Sequence, residues 1–139
     1  MKTIISNCIP QREPMMMVDT LISHDEKETI SGFTILKDNV FVENEIFSEA
    51  GLLENMAQTA ALGKGYEYGQ NNEKPPIGFI GAVKNFEVFG LPHQLDTIET
   101  KATIKYQVLN ASIVEAQVYV KNIKLAACEL KIFINPDIS

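Results

Sequence analysis

In the stretch "SEAGLLENMAQTAALG", residues 48–63, Glu54 is the only charged residue between Leu52 and Leu62. Gln58 follows it four residues later, so on a helix the two side chains share a face within hydrogen-bonding reach. Ala61 and Gly65 continue that face with no bulk, and open space beside the carboxylate is the expectation. A carboxylate in apolar surroundings has its charged form disfavoured. That environment readies a carboxylic acid to give or take a proton, and Gln58 could hold its orientation. The plainer alternative is a helix surface carrying one Glu, solvated or paired with a lysine. The spacing alone leaves both readings open.

Other reactive groupings are sparse. The chain has no Gly-rich phosphate loop, no clustered His/Cys set and no Gly-x-Ser-x-Gly elbow, so neither a metal nor a cofactor is expected. His24 stands among charged residues and is predicted to be an exposed turn residue; His93, in "GLPHQLDT", is predicted to lie in a turn between strands with a structural role. Cys8 and Cys128 share no metal-type or redox-type spacing, and Cys128 reads as a small core hydrophobe. Met15, Met16 and Met17 read as strand core. The net charge of −6 opposes a nucleic-acid surface, which needs a basic patch, and opposes stable docking on anionic membranes. No apolar run approaches the roughly 20 residues that span a bilayer. The opening "MKTIISNCIPQREP" has an apolar stretch too short for a signal-peptide core, interrupted by Pro10. A reducing, cytoplasmic location is the simplest expectation.

The elements that must position Glu54 are one helix and a set of strands. Ser48 suits an N-cap, and Glu49 in the first turn suits the helix dipole. Leu52, Leu53, Met56, Ala57, Ala60, Ala61 and Leu62 spread around the helix so widely that most of its circumference must be buried. In "TIETKATIKYQV", Ile98, Ala102, Ile104, Tyr106 and Val108 face one side while Glu99, Lys101, Lys105 and Gln107 face the other, the period-2 signature of a half-buried strand. "SIVEAQVYV" and "LAACELKIFI" repeat it, and breaks at Asn110 and Lys121–Asn122 predict hairpins between antiparallel neighbours. "GFIGAVKNFEVF" supplies another strand whose glycines mark a bend or a close approach. "MMMVDTLI" and "ETISGFTIL" form an opening pair joined by a charged turn. The expectation is one α+β domain over 1–139: five or six antiparallel strands wrapped around one helix of about 20 residues.

At this point the sequence resembles a known family. "LLENMAQTAA" is similar to the central-helix motif of hotdog-fold 3-hydroxyacyl-ACP dehydratases, where a Glu precedes a Met-Ala-Gln triplet. "IPQREPMMMVDTL" resembles that family's Pro-His-Arg-x-Pro-hydrophobic-Val-Asp stretch at Pro10, Arg12, Pro14, Val18 and Asp19, and "FIGAVKNFEVFGLPHQLDTIETKATI" follows its strand, proline turn and strand. The three blocks keep family order, and the likeness is greatest to compact members associated with aryl-polyene-type pigment synthesis. The resemblance implies a hotdog fold and fatty-acid or polyene-type biosynthesis. It implies that Glu54 is the catalytic acid that protonates the departing 3-hydroxyl, and that Gln58 is the glutamine on the same helix face. Glu49, Ala50 and Gly51 fall at the helix N-terminus, whose backbone amides polarise the thioester carbonyl in the family. It further implies an acyl-ACP or acyl-CoA thioester as substrate, an acyl tunnel beside the helix that Met residues could line, and paired sites across a homodimer.

The family's second catalytic residue, a histidine in a Gly-His-Phe-Pro-Gly loop, has no counterpart: the region reads "LKDNVFVENEIFSEAG". Gln11 also replaces the histidine of the N-terminal motif. Three functions follow. A dehydratase-like protein would use Glu54 as the acid, either alone as a homodimer or completed by a histidine-bearing paralogous subunit in a heterodimer. A hotdog thioesterase would use Glu54 as base or nucleophile and needs no histidine. A non-catalytic protein would bind acyl thioesters only. An acidic carrier protein needs a local basic patch, for which Lys64, Lys84, Lys101 and Lys105 are the candidates.

Overall fold

The computed structural model describes residues 4–135. Eight strands and one long helix follow in the order β1 (Thr20–His24), β2 (Glu28–Thr34), β3 (Val42–Glu43), β4 (Ile46–Phe47), α1 (Glu49–Gln70), β5 (Ile77–Val88), β6 (Thr97–Val108), β7 (Ala111–Val120) and β8 (Ile123–Asn135), after a 3₁₀ turn at Ile5–Asn7. Six strands form an antiparallel sheet in the order β1-β2-β6-β7-β8-β5, and β3 and β4 form a separate hairpin.

The hairpin between β7 and β8 turns through Lys121 and Asn122, both at positive φ; two such residues match the right-handed twist of the strands they join. The tight turn after β6 places Leu109 at φ 55°. On the concave face Ile98, Ala116, Val118, Ala126 and Leu130 are fully buried against Phe47, Leu52 and Met56. Beyond a bulge after Ile104, Tyr106 and Val108 are exposed; the simple alternation therefore places them in the core wrongly. Gly81 lies at a bulge in β5 with the Phe133 ring packed over it, the close approach that its missing side chain allows.

The helix runs 22 residues, about 33 Å. Ser48 caps it by accepting the Gly51 amide at 3.3 Å, and Asn72 at φ 57° turns the chain away after its end. Its sides have different neighbours. Leu52, Met56, Thr59 and Gly63 are buried toward the sheet, whereas Gln58, Leu62 and Gly65 are covered by the N-terminal segment, whose Ile5, Cys8, Ile9 and Val18 close a second apolar cluster around Leu62. Met15, Met16 and Met17 are irregular chain rather than strand: Met17 is fully buried, but Met15 is exposed.

Cys8 and Cys128 are free and buried. Burial pushes the Cys128 thiol up to about 11 and raises Cys8 as well. The reactive form is the thiolate, so at pH 8 only about one part in a thousand of Cys128 is reactive. An aromatic disulfide reagent is expected to label Cys8 slowly and Cys128 not at all until denaturant is added. Labelling of native Cys128 at the rate of a free thiol would contradict its placement in the core.

Candidate functional site

Glu54 is half-buried in the second turn of α1, and its Oε2 accepts a hydrogen bond from Gln58 Nε2 at 2.8 Å. Gln58 is itself fully buried and leaves nothing free to rotate. Its Oε1 accepts the Met17 amide at 2.7 Å, and its Nε2 also donates to the Met15 carbonyl at 2.7 Å. An N–H on one side and a carbonyl on the other fix which end of the amide is oxygen. The i, i+4 spacing thus aims Glu54 as expected, through a residue clamped to the chain's opening segment. Glu54 Oε1 has no hydrogen-bond partner among the described residues.

Glu54 lines a cavity of about 670 Å³ between the helix and the β6–β7–β8–β5 half of the sheet. Small residues make the space: Ala57, Ala60 and Ala61 form the helix wall opposite Ile104, Val114 and Ile132. Ala61 and Gly65 both line this cavity, as expected, but the missing side chain of Gly65 is not what opens it. A Cβ on Gly65 would stand 1.8 Å from the Cys8 carbonyl oxygen, so that gap is taken by the protein's own backbone. The helix presents Glu54, Ala57, Ala60, Ala61 and Lys64 to the cavity, while Gln58 is turned to the N-terminal segment.

At the helix N-terminus Glu49 and Ala50 are exposed, while Gly51 is buried beneath Phe47 and Phe41, where a Cβ would meet the Phe47 ring at 2.6 Å. None of these three residues lines the cavity.

His24 is not an exposed turn residue. It ends β1 with its side chain 10% exposed. Its Nδ1 lies 2.8 Å from Thr29 Oγ1 and its Nε2 3.0 Å from Glu67 Oε1, with Tyr66 edge-on to the ring. Both nitrogens are occupied, and the imidazole packs at Gly63, roughly 13 Å along the helix from Glu54. His93 is exposed in a turn beside β4, its amide bonded to Asp96 Oδ2 at 2.9 Å, as expected of it. Neither histidine is brought to Glu54. Of the four candidate lysines, Lys101 pairs with Glu28 at 3.9 Å and Lys105 with Glu115 at 3.4 Å; Lys64 lines the cavity.

Sequence reasoning missed the polar frame behind the site. Asn55, fully buried, donates to the Met17 carbonyl at 2.7 Å and accepts from Thr100 Oγ1 at 2.5 Å. Thr59 donates to the Asn55 carbonyl at 2.8 Å and meets Ser31 Oγ at 2.7 Å. Buried polar groups persist only when paired, so this ladder pins β2, β6 and the Met15–Met17 segment to one stretch of helix. The signal available was three neutral polar residues, Asn55, Gln58 and Thr59, interrupting an apolar helix.

A long helix wrapped by an antiparallel sheet, with a carboxylate on the helix facing an alanine-walled cavity, is the architecture of the hotdog fold. Within that fold the chain belongs to the ApeP-like family, the ApeP dehydratases, whose model matches residues 3–139. Its structure is similar to the dehydratase heterocomplex ApeI:P from Xenorhabdus doucetiae at a TM-score of 0.86, with 14% identity over 94% of this chain and 90% of that one. It is also similar to the E. coli PaaI protein from the phenylacetic acid degradation operon (TM-score 0.67, 12% identity, 81% and 80% coverage). A hypothetical thioesterase from Streptococcus pneumoniae bound to coenzyme A is similar too (TM-score 0.67, 7% identity, 83% and 84% coverage). At these identities the structures speak for the fold alone. No curated protein sequence matches. The chain is therefore a dehydratase-like hotdog protein. Among the described residues no helix is long and apolar enough to cross a membrane.

Proposed function

We propose that this protein dehydrates 3-hydroxyacyl thioesters, carried by an acyl carrier protein or coenzyme A, with Glu54 as the acid. The observation that carries the reading is Glu54 held by Gln58 at the wall of an acyl-sized, largely apolar cavity. Glu54 gives its proton to the departing hydroxyl, the C3–O bond breaks, a base takes the C2 proton, and the C2–C3 double bond forms as water leaves. At the helix N-terminus the amides of Glu49 and Ala50 are suited to the thioester carbonyl, whereas that of Gly51 is taken by the Ser48 cap.

The base comes from a second subunit, because His93 is outside the cavity and His24, although it lines the cavity, stands about 13 Å along the helix from Glu54 with both ring nitrogens engaged. Strand β5 is the sheet's long edge, and along it Phe79, Ile80, Val83 and Phe86 are exposed, with Phe89 just beyond its end; an apolar edge strand with free backbone groups is built to be paired. A histidine-bearing paralogue is the partner this favours over a second copy, in line with the heterocomplex to which the chain is similar. The reducing cytoplasm suits its two unpaired cysteines.

Mass spectrometry of 3-hydroxyacyl thioesters of several chain lengths tests this, with the protein alone and with such a paralogue added. Loss of water in the mixture is the expected result. Release of free thiol by the protein alone would instead make it a thioesterase, the reading favoured by the absence of a histidine at Glu54. An unchanged substrate in both arms would overturn the dehydratase assignment.

A further inference from the structure

Lys64 lies ten residues beyond Glu54 on the same cavity wall, about 15 Å along the helix axis. It is half-buried, and no carboxylate among the described residues lies within ion-pair distance of it. Lys27 and Lys74 line the same cavity, contributed by the β1–β2 turn and the loop after α1. The carboxylates on this wall have other partners. Asp25 Oδ1 accepts the amides of Lys27 and Glu28, both at 2.8 Å, which, with smaller contributions from the nearby charges of His24 and Lys27, hold its carboxyl below the usual range. Glu67 meets His24, and Glu54 is held by Gln58. Arg12 also lines the cavity, but donates to the Ile9 and Gln11 carbonyls and holds its own loop.

The half-buried Lys64 and the exposed Lys27 and Lys74 therefore all line one largely apolar cavity in a chain of net charge −6. The helix dipole does not account for Lys64, because it stands six residues before the last helical residue, Gln70, and the dipole acts within the final turn. An ammonium on the wall of an apolar cavity is favoured by a counter-charge there, and the geometry points to the ligand: we infer that Lys64, with Lys27 and Lys74, binds an oxyanion carried by the thioester about 15 Å along the helix from Glu54. This rests on the reading of Glu54 as the reactive end. An extended chain of about a dozen bonds spans that distance. Two parts of an acyl thioester have that length and can end in an anion: the phosphopantetheine arm, from sulfur to phosphate, and a medium-length acyl chain, if it ends in a carboxylate.

Calorimetry with the full chain separates them. One pair of probes is pantetheine against 4′-phosphopantetheine. The other is a pair of unreactive N-acetylcysteamine thioethers with twelve-carbon chains, one ending in methyl and one in carboxylate. At least one anionic probe is expected to bind about tenfold tighter than its neutral counterpart, as a charge-assisted hydrogen bond would give. Lys64→Arg should keep that preference and Lys64→Met should remove it. Preference for the phosphate places the carrier arm along the helix; preference for the carboxylate places the acyl chain there. Equal binding of both pairs, or a preference that survives Lys64→Met, overturns the site. The preference should persist in Glu54→Gln. A failed dehydration screen with an intact preference would sink the reaction and leave the anion site standing.

Discussion

Glu54→Gln is expected to lower dehydration by roughly a hundredfold to ten-thousandfold, the usual worth of a positioned general acid, while moving the melting temperature by no more than a degree or two. The asymmetry comes from the hydrogen bonding. Glu54 receives one protein hydrogen bond, from Gln58 Nε2, and a glutamine oxygen can accept that same bond. The variant keeps its shape and its clamp but has no proton to give. Steady-state rates of the complex with its histidine-bearing partner, read beside a thermal melt, check both halves. Activity retained within threefold would remove Glu54 from the chemistry. A collapse in melting temperature would show that the carboxylate is structural and make any rate loss uninformative.

The second large effect concerns stability. Gly65→Ala places a methyl group 1.8 Å from the Cys8 carbonyl oxygen and 2.6 Å from its carbon, atoms of backbone that no rotamer change can move aside. The N-terminal segment and the helix must separate, loosening the cluster of Ile5, Cys8, Ile9, Val18 and Leu62. Overpacking of this severity costs about 3 kcal/mol or more, which for a chain of this size is a fall of roughly 10 °C in melting temperature. Gly69 provides the contrast, since nothing lies within 4 Å of the corresponding Cβ. There alanine should stabilise by up to about 1 kcal/mol through helix propensity. Equal melting temperatures for the two variants would mean that the segment does not press on Gly65 in solution.

Much of this architecture is legible in the amino-acid order because it rests on local rules. The alternation through Ile98–Ile104, Val114–Val120 and Ala126–Leu130 marks strands with one buried face, and the polar breaks between them are where the chain turns. Ser48 and the apolar run after it mark the helix. The resemblance blocks led to the hotdog fold and its family. What stayed hidden depends on contacts between distant residues. His24 looks like a turn residue because its neighbours are charged, yet its partner is Glu67, forty-three positions later. Thr100 sits in an alternating strand as though it were filler, but it satisfies Asn55 from 45 residues away. Gly65 shows the ambiguity of small residues: a missing side chain makes room, and sequence does not say whether ligand or backbone takes it. The cavity's direction, along Ala57, Ala60 and Lys64, follows from where the opening segment lies.

The clamp around Gln58 has a consequence for how the site would be lost. One amide group aims Glu54 and also, together with Asn55, fastens the Met15–Met17 segment, so aim and fastening are coupled. That segment has no strand partners, and protein regions with few ladder hydrogen bonds open at lower free energy than the sheet. Gentle heating or mild denaturant would then disarm Glu54 while β6, β7 and β8 were still paired. The working lifetime of the site would be set by the Met15–Met17 segment, and the lifetime of the fold by the sheet.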